Sequence, residues 1–137
     1  GRQEEGERAV RRALVIDPGH LQSRIDLGIF LMRDQRVVEG QLLLEEAVRD
    51  DPFSSRAWQA LGAARRRSGD PQSAGLAFER VLELQPDNSE VMGDLIEVYI
   101  ATNRESEARD LLETMRRLTK DSQPVLTRRV EDRWPEN

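Results

Sequence analysis

Apolar residues return three and four positions apart through eight successive stretches of this chain, the period of helices that each bury one face. The pattern predicts helices over 3–16, 20–33, 37–50, 54–67, 71–84, 88–101, 105–118 and 123–133. Pro18, Pro52 and Pro86 end three of these stretches and fall 34 residues apart. Stepping the rest of the chain by 34 keeps the register. Leu27, Leu61 and Leu95 coincide, followed by Gly28, Gly62 and Ile96. Gly6, Gly40, Ala74 and Ala108 coincide as small residues, and Val10, Leu44, Phe78 and Leu112 as large ones. Ala13, Ala47, Val81 and Met115 follow three positions later, and His20, Ser54, Asn88 and Ser122 share a further column. Agreement at this period marks a stack of helical hairpins, each unit burying its apolar face against its neighbours.

Each column has a physical cause. The small residue midway along the second helix of a pair lets the first helix approach closely, and the large residue four positions on fills the space beside that contact. Proline cannot continue a helix, so it closes the unit and sets the turn into the next. Ser54, Asn88 and Ser122 are good N-caps at helix starts. Ser68-Gly69-Asp70-Pro71 and Thr102-Asn103 are turn signals, with Asp70 able to cap and Pro71 to take the first helical position. Asp34-Gln35-Arg36 is a less typical turn in the corresponding place. Leu126, Val130 and Trp134 form one stripe at spacing four, so the last helix reads as a terminal cap opened by Ser122 and ended by Pro135.

These residues resemble the tetratricopeptide repeat family, whose pattern runs Trp-x2-Leu-Gly-x2-Tyr and then Gly, Ala, Phe, Ala and Pro. Trp58, Leu61, Gly62, Gly69, Ala74, Phe78 and Pro86 match it in the middle repeat. Leu27, Gly28, Ala47 and Pro52 match in the first, where Arg24 replaces the Trp, and Leu95, Tyr99 and Ala108 match in the third. The resemblance implies one all-α domain over 1–137, a right-handed superhelical solenoid of about three and a half repeats. Its parts are a lone second helix over 1–19, repeats over 20–53, 54–87 and 88–121, and a capping helix over 122–137. Trp58, Leu61, Leu44, Phe78, Leu95 and Leu112 are expected to be buried.

Composition narrows the function. A net charge of −5 opposes nucleic acid as the main partner, because phosphate neutralisation needs a basic face. There is no cysteine for thiolate chemistry and one histidine, His20, too few for a multi-histidine metal site. Carboxylates such as Glu4-Glu5, Glu45-Glu46 and Asp50-Asp51 are neighbours on helices, point in different directions, and read as solvated faces rather than a catalytic pair. No glycine-rich phosphate loop and no apolar run of membrane-spanning length is present. The chain is therefore expected to be no enzyme, to need no cofactor or metal, and not to insert into a membrane. Twenty Arg against the single Lys120 reads as a GC-rich, bacterial coding sequence, which leaves cytoplasm and periplasm both open.

In the family the first helix of each pair lines a concave surface. Carried over residue by residue, that surface takes Gln22, Ile25, Ile29, Met32 and Arg33 from the first repeat and Arg56, Gln59, Ala63, Arg66 and Arg67 from the second. The third gives Glu90, Gly93, Glu97 and Ile100. Chaperone-binding members clamp a carboxylate there with Lys, Asn and Arg, but the Lys and Asn places hold Ile25, Ile29 and Ala60 here. Ile25 and Ile29 are expected to stand free of the core, since Leu27, Phe30 and Leu31 supply the packing face. A ligand would then set an apolar group on those two, an acid near Arg56 and Arg66, and a base near Glu90 and Glu97. Arg65-Arg66-Arg67 also suits a helix C-terminus, where cations complement the macrodipole.

The function expected is a non-catalytic scaffold that binds a protein or peptide segment in this groove, as part of a larger bacterial assembly or biogenesis protein. The alternative is a structural spacer or self-association element with no free peptide ligand. Self-association is expected through the first helix, whose Ala9, Val10, Ala13, Leu14 and Ile16 stripe lacks a hairpin partner and whose Gly6 would face nothing.

Overall fold

The computed structural model describes residues 1–136, and among them the chain is all helical. The elements are α1 (Arg2–Ile16), α2 (Leu21–Arg33), α3 (Val37–Asp50), α4 (Ser55–Arg67), α5 (Pro71–Leu84), α6 (Ser89–Ala101), α7 (Glu105–Thr119) and α8 (Pro124–Arg133). Every bound lies within one residue of the sequence expectation, because prolines, caps and turn residues mark most of the helix ends. Pairs α2/α3, α4/α5 and α6/α7 form hairpins, α1 packs on α2, and α8 lies against α6 and α7. Helices α2 and α4 touch directly, as do α6 and α8, so the even-numbered helices make one layer, termed inner, and the odd-numbered ones the other, termed outer, of an all-α solenoid.

Helices α2, α4 and α6 open identically. His20, Ser54 and Asn88 accept the backbone N–H of Ser23, Ala57 and Val91, each three residues on. His20 thus serves as a cap through its ring Nδ1, a role its residue type does not advertise. Asp70 caps α5 through the Ser73 N–H at 3.1 Å, and that bonding to Ser73 holds its carboxyl below the usual range. The turns inside the three hairpins share one device: Gln35, Gly69 and Asn103 occupy the same column with φ of 61°, 85° and 60°. Glycine and asparagine take this left-handed region readily, whereas glutamine does so at a cost. Gln35→Gly should therefore stabilise the chain by about 1 kcal/mol, read as a higher urea midpoint at unchanged m-value. A lower midpoint would show that the Gln35 side chain outweighs its strained backbone.

The last helix departs from expectation. Its N-cap is Gln123 in the left-handed region, not Ser122, whose carbonyl instead accepts from Arg116 and Thr127. Against the Asn88 cap of α6 this is a step of 35, so Val130 takes the place of Leu95 and is 1% exposed. The extra residue is absorbed between Lys120 and Gln123, both at positive φ.

Two buried clusters form the core. One joins Ile25, Met32, Leu44, Ala47, Val48, Ala57, Leu61 and Ala64 from α2, α3 and α4. The other runs from Ala74 and Phe78 through Leu95 and Leu112 to Val130. Leu44, Leu61, Phe78, Leu95 and Leu112 are buried as expected. Trp58 is only half-buried: its ring packs against both clusters while its Nε1–H reaches the Pro52 carbonyl at 2.8 Å near the surface. Gly6 does not face empty space, because a Cβ there would lie 2.9 Å from the Phe30 ring of α2. The outer side of α1 also carries a polar finish, Glu5, Arg8 and Arg12 around Ala9. Its most open apolar residues are Val15 and Ile16, 83% and 85% exposed at the helix end.

Candidate functional site

The inner layer carries a cleft of about 630 Å³ between α2, α4 and the turn into α6. It gathers Ile29, Met32 and Arg33 from α2, Arg56, Gln59, Ala63 and Arg67 from α4, and Glu90 from α6, all anticipated from the sequence. The i, i+3, i+4 spacing along two neighbouring helices turns these side chains to one side. Ser55, Ala60 and Gln85 complete the lining. Ala60 and Ser55 share the face of residues already identified, so the helical period could have found them. Gln85 arrives from the turn between repeats and carries no such signal.

Six expected residues fall elsewhere. Ile25 is 1% exposed and belongs to the core beside Leu44 and Leu61, so it is not a groove residue. Ile29 does not stand free of the core either: it is half-buried and packs against the same cluster while it lines the cleft. Gln22 is exposed and bonds Asp26 at 3.2 Å. Arg66 turns away to Asp94, and Ile100 packs against the second core cluster. Glu97 is held by Arg129 at 2.5 Å, because α8 lies over the part of α6 that the groove was expected to use. Gly93 is likewise within 3.8 Å of Leu126 of α8, counting from an added Cβ.

Ion pairs within the chain change the electrostatic expectation. Arg56 was expected to await an acidic ligand but already meets Asp26 at 2.7 Å, and Arg66 meets Asp94 at 3.5 Å. Glu97 is neutralised in the same way. Arg33 and Arg67 have no ion pair among the described residues, and both line the cleft. Three guanidinium groups thus surround an apolar floor of Ile29, Met32, Ala60 and Ala63, with Glu90 the one acid in the lining. A chain of net charge −5 concentrates positive charge at this place. Arg65 directs its guanidinium to the Ser73 carbonyl at 3.2 Å rather than to water.

Asp94, between α4 and α6, is pushed above the usual carboxylate range chiefly by burial; Arg66 pulls the other way, and Glu90 and Glu97 add to the rise. A carboxyl whose folded value is raised binds its proton more tightly in the native state, so it costs stability once ionised. That cost is relieved as pH falls through the raised value toward 3.8 and is fully present at neutral pH. Asp94→Asn should therefore raise the melting temperature at pH 7 and flatten its change in that acid window. A variant that melts lower at pH 7 would make the Arg66 pair the dominant effect.

Family models described as tetratricopeptide repeat match residues 25–89 and 65–127, and the chain belongs to that family. The human PEX5-related protein is 32% identical over 110 residues, covering 70% of this chain and 18% of that protein. The mouse PEX5-related protein is 34% identical over 83 residues, 57% of this chain and 15% of the relative. The chain thus spans less than a fifth of the curated relatives it matches. Among solved structures, MamA superposes at a TM-score of 0.80 with 21% identity, over 93% of this chain and 74% of that one. A tetratricopeptide repeat protein from Parabacteroides merdae superposes at 0.85 with 13% identity, over 96% and 53%. These structural likenesses establish the fold.

Proposed function

We propose that this chain is a protein-interaction scaffold whose inner cleft holds an extended segment or helix of a partner. The observation that carries the reading is the convergence of unpaired Arg33 and Arg67 on the apolar floor of Ile29, Met32, Ala60 and Ala63. An apolar patch ringed by charge is a recognition surface, with the aliphatic contact giving affinity and the charge giving orientation and rate. The segment it fits bears an aliphatic side chain beside an acidic one. The acid bridges Arg33 and Arg67, which stand one repeat apart. No pair of carboxylates with diverging environments lines the cleft, so binding rather than catalysis is the chemistry on offer.

Fluorescence anisotropy tests the reading with a labelled peptide of about a dozen residues, one leucine flanked by glutamates. The double variant Ile29→Glu, Arg67→Glu changes an exposed side chain and a half-buried one that packs against the first core cluster, and an unchanged far-ultraviolet spectrum and a cooperative melt check that it stays folded. It should weaken binding by about tenfold or more. Equal binding by the double variant would remove the cleft as the site.

A further inference from the structure

The repeat offers an internal comparison on its outer side. Between α5 and α7 lies a second cleft, of about 500 Å³, floored by Leu82, Leu95, Tyr99 and Leu111. Glu79, Glu83, Glu107 and Asp110 rim it, Thr114 completes it, and no basic residue lines it. The corresponding crease between α3 and α5, 34 residues earlier, is built from Glu45, Val48, Arg49, Leu61, Arg65, Leu76, Ala77 and Arg80. There the floor is covered, with Leu61, Val48 and Ala77 buried. Arg80, in the place of Thr114, crosses to the Pro52 carbonyl at 3.4 Å with its guanidinium 5.8 Å over the Phe53 ring. Val48 and Ala77 are buried beneath it, whereas their counterparts Leu82 and Leu111 stay half-open. The later crease has Thr114 for Arg80, Tyr99 for Arg65, and Glu83, Glu107 and Asp110 for Arg49, Ser73 and Leu76, which leaves its floor more open and reverses its charge.

One guanidinium already shows what this surface accepts. Arg104, at the N-cap of α7, bonds Glu79 and Glu107, each at 3.1 Å, and stacks 4.5 Å from the Tyr99 ring centroid. Tyr99 in turn donates its hydroxyl to Glu79 at 3.0 Å, and burial with that acid pushes its phenol up to about 12. Glu83 takes Arg80 at 2.7 Å, while Asp110 has no ion pair among the described residues. Negative charge is left in excess around an open apolar floor.

We infer that the α5/α7 cleft is a second docking surface, for a basic protein segment that places an aliphatic side chain between Leu82 and Leu111 and a Lys or Arg against Asp110. The two faces of the solenoid then select opposite charge: acidic segments inside, basic segments outside. Charge of this kind governs orientation and encounter, while the aliphatic anchor in a desolvated slot governs retention.

The test is amide-shift mapping on the nitrogen-15-labelled chain, titrated with a peptide of one leucine flanked by lysines and, separately, with its glutamate counterpart. The basic peptide should move resonances of residues 79–83 and 107–114, and the acidic peptide those of 29–33 and 56–67. Thr114→Arg imports the closing residue of the preceding repeat and should weaken the basic peptide by about tenfold at an unchanged melting temperature, leaving the acidic peptide unaffected. Asp110→Arg, an exposed change, should weaken it in the same direction. A basic peptide that moves only inner-layer resonances, moves none, or binds Thr114→Arg as tightly as the parent overturns the inference. Each of those outcomes leaves the inner-cleft reading to stand or fall on the acidic peptide alone.

Discussion

Replacing Phe78 with alanine should lower the unfolding free energy by about 3–5 kcal/mol, the largest single-residue loss expected in this chain. Phe78 is 1% exposed, and its ring occupies the space that a side chain at Gly62 would need: a Cβ there would lie 2.6 Å from the ring. Removing the ring empties the contact between α4 and α5, and α4 carries half of the inner cleft. Because each hairpin meets only its neighbours, the damage should spread as loss of coupling between the two ends. Denaturant unfolding should show a lower midpoint and a broader transition. The third repeat supplies the control, since it fills the same contact with Ile96 and Leu112 in place of Gly62 and Phe78. Gly62→Ile alone should overpack the site by about 1–3 kcal/mol or more. Adding Phe78→Leu should recover much of that loss, a coupling that independent sites would not show. A double variant no better than Gly62→Ile would mean that the hairpins are packed by different rules.

Gly40→Ala should destabilise the chain by about 1–2 kcal/mol, although alanine stands at this column in the next two repeats and favours helices by about 1 kcal/mol. The reason lies opposite it. A Cβ on Gly40 would meet the Gly28 carbonyl at 2.7 Å and the Met32 backbone N at 3.2 Å, groups that cannot swing aside. Gly93 is the contrast: a Cβ there meets only flexible tips of Leu126 and Met115 at 3.8 Å. Gly93→Ala should therefore stabilise by about 1 kcal/mol through helix propensity. Thermal melts of the two variants should move in opposite directions, and movement of both upward would remove the close approach of α2 and α3 as the cause of glycine at 40.

The two glycines show why the fold was legible and the site only partly so. Period, caps and prolines are local, and they place all eight helices to within a residue. How closely two helices approach is not local. Ile25 shares a column with Gln59, which lines the cleft, yet it joins the core with Leu44 and Leu61, and the repeat period does not separate the two. Ion pairing is equally invisible along the chain. Asp26 lies 30 residues from Arg56, and Asp94 lies 28 from Arg66, so neither arginine could be seen to be occupied. The one-residue insertion before α8 hid its register in the same way, and with it the cover that Arg129 places on Glu97. What survived was a set of residues on α2 and α4, with Glu90 at the start of α6.

Selection from a random-peptide library on the immobilised chain, followed by re-binding to Ile29→Glu, Arg67→Glu, puts the inner cleft to the most direct test. A major class of selected peptides should carry an aliphatic residue within a few positions of Asp or Glu and be lost on the double variant. Peptides of that class bound equally by the parent and the variant, or a selection in which no such class emerges, would contradict the inner-cleft reading.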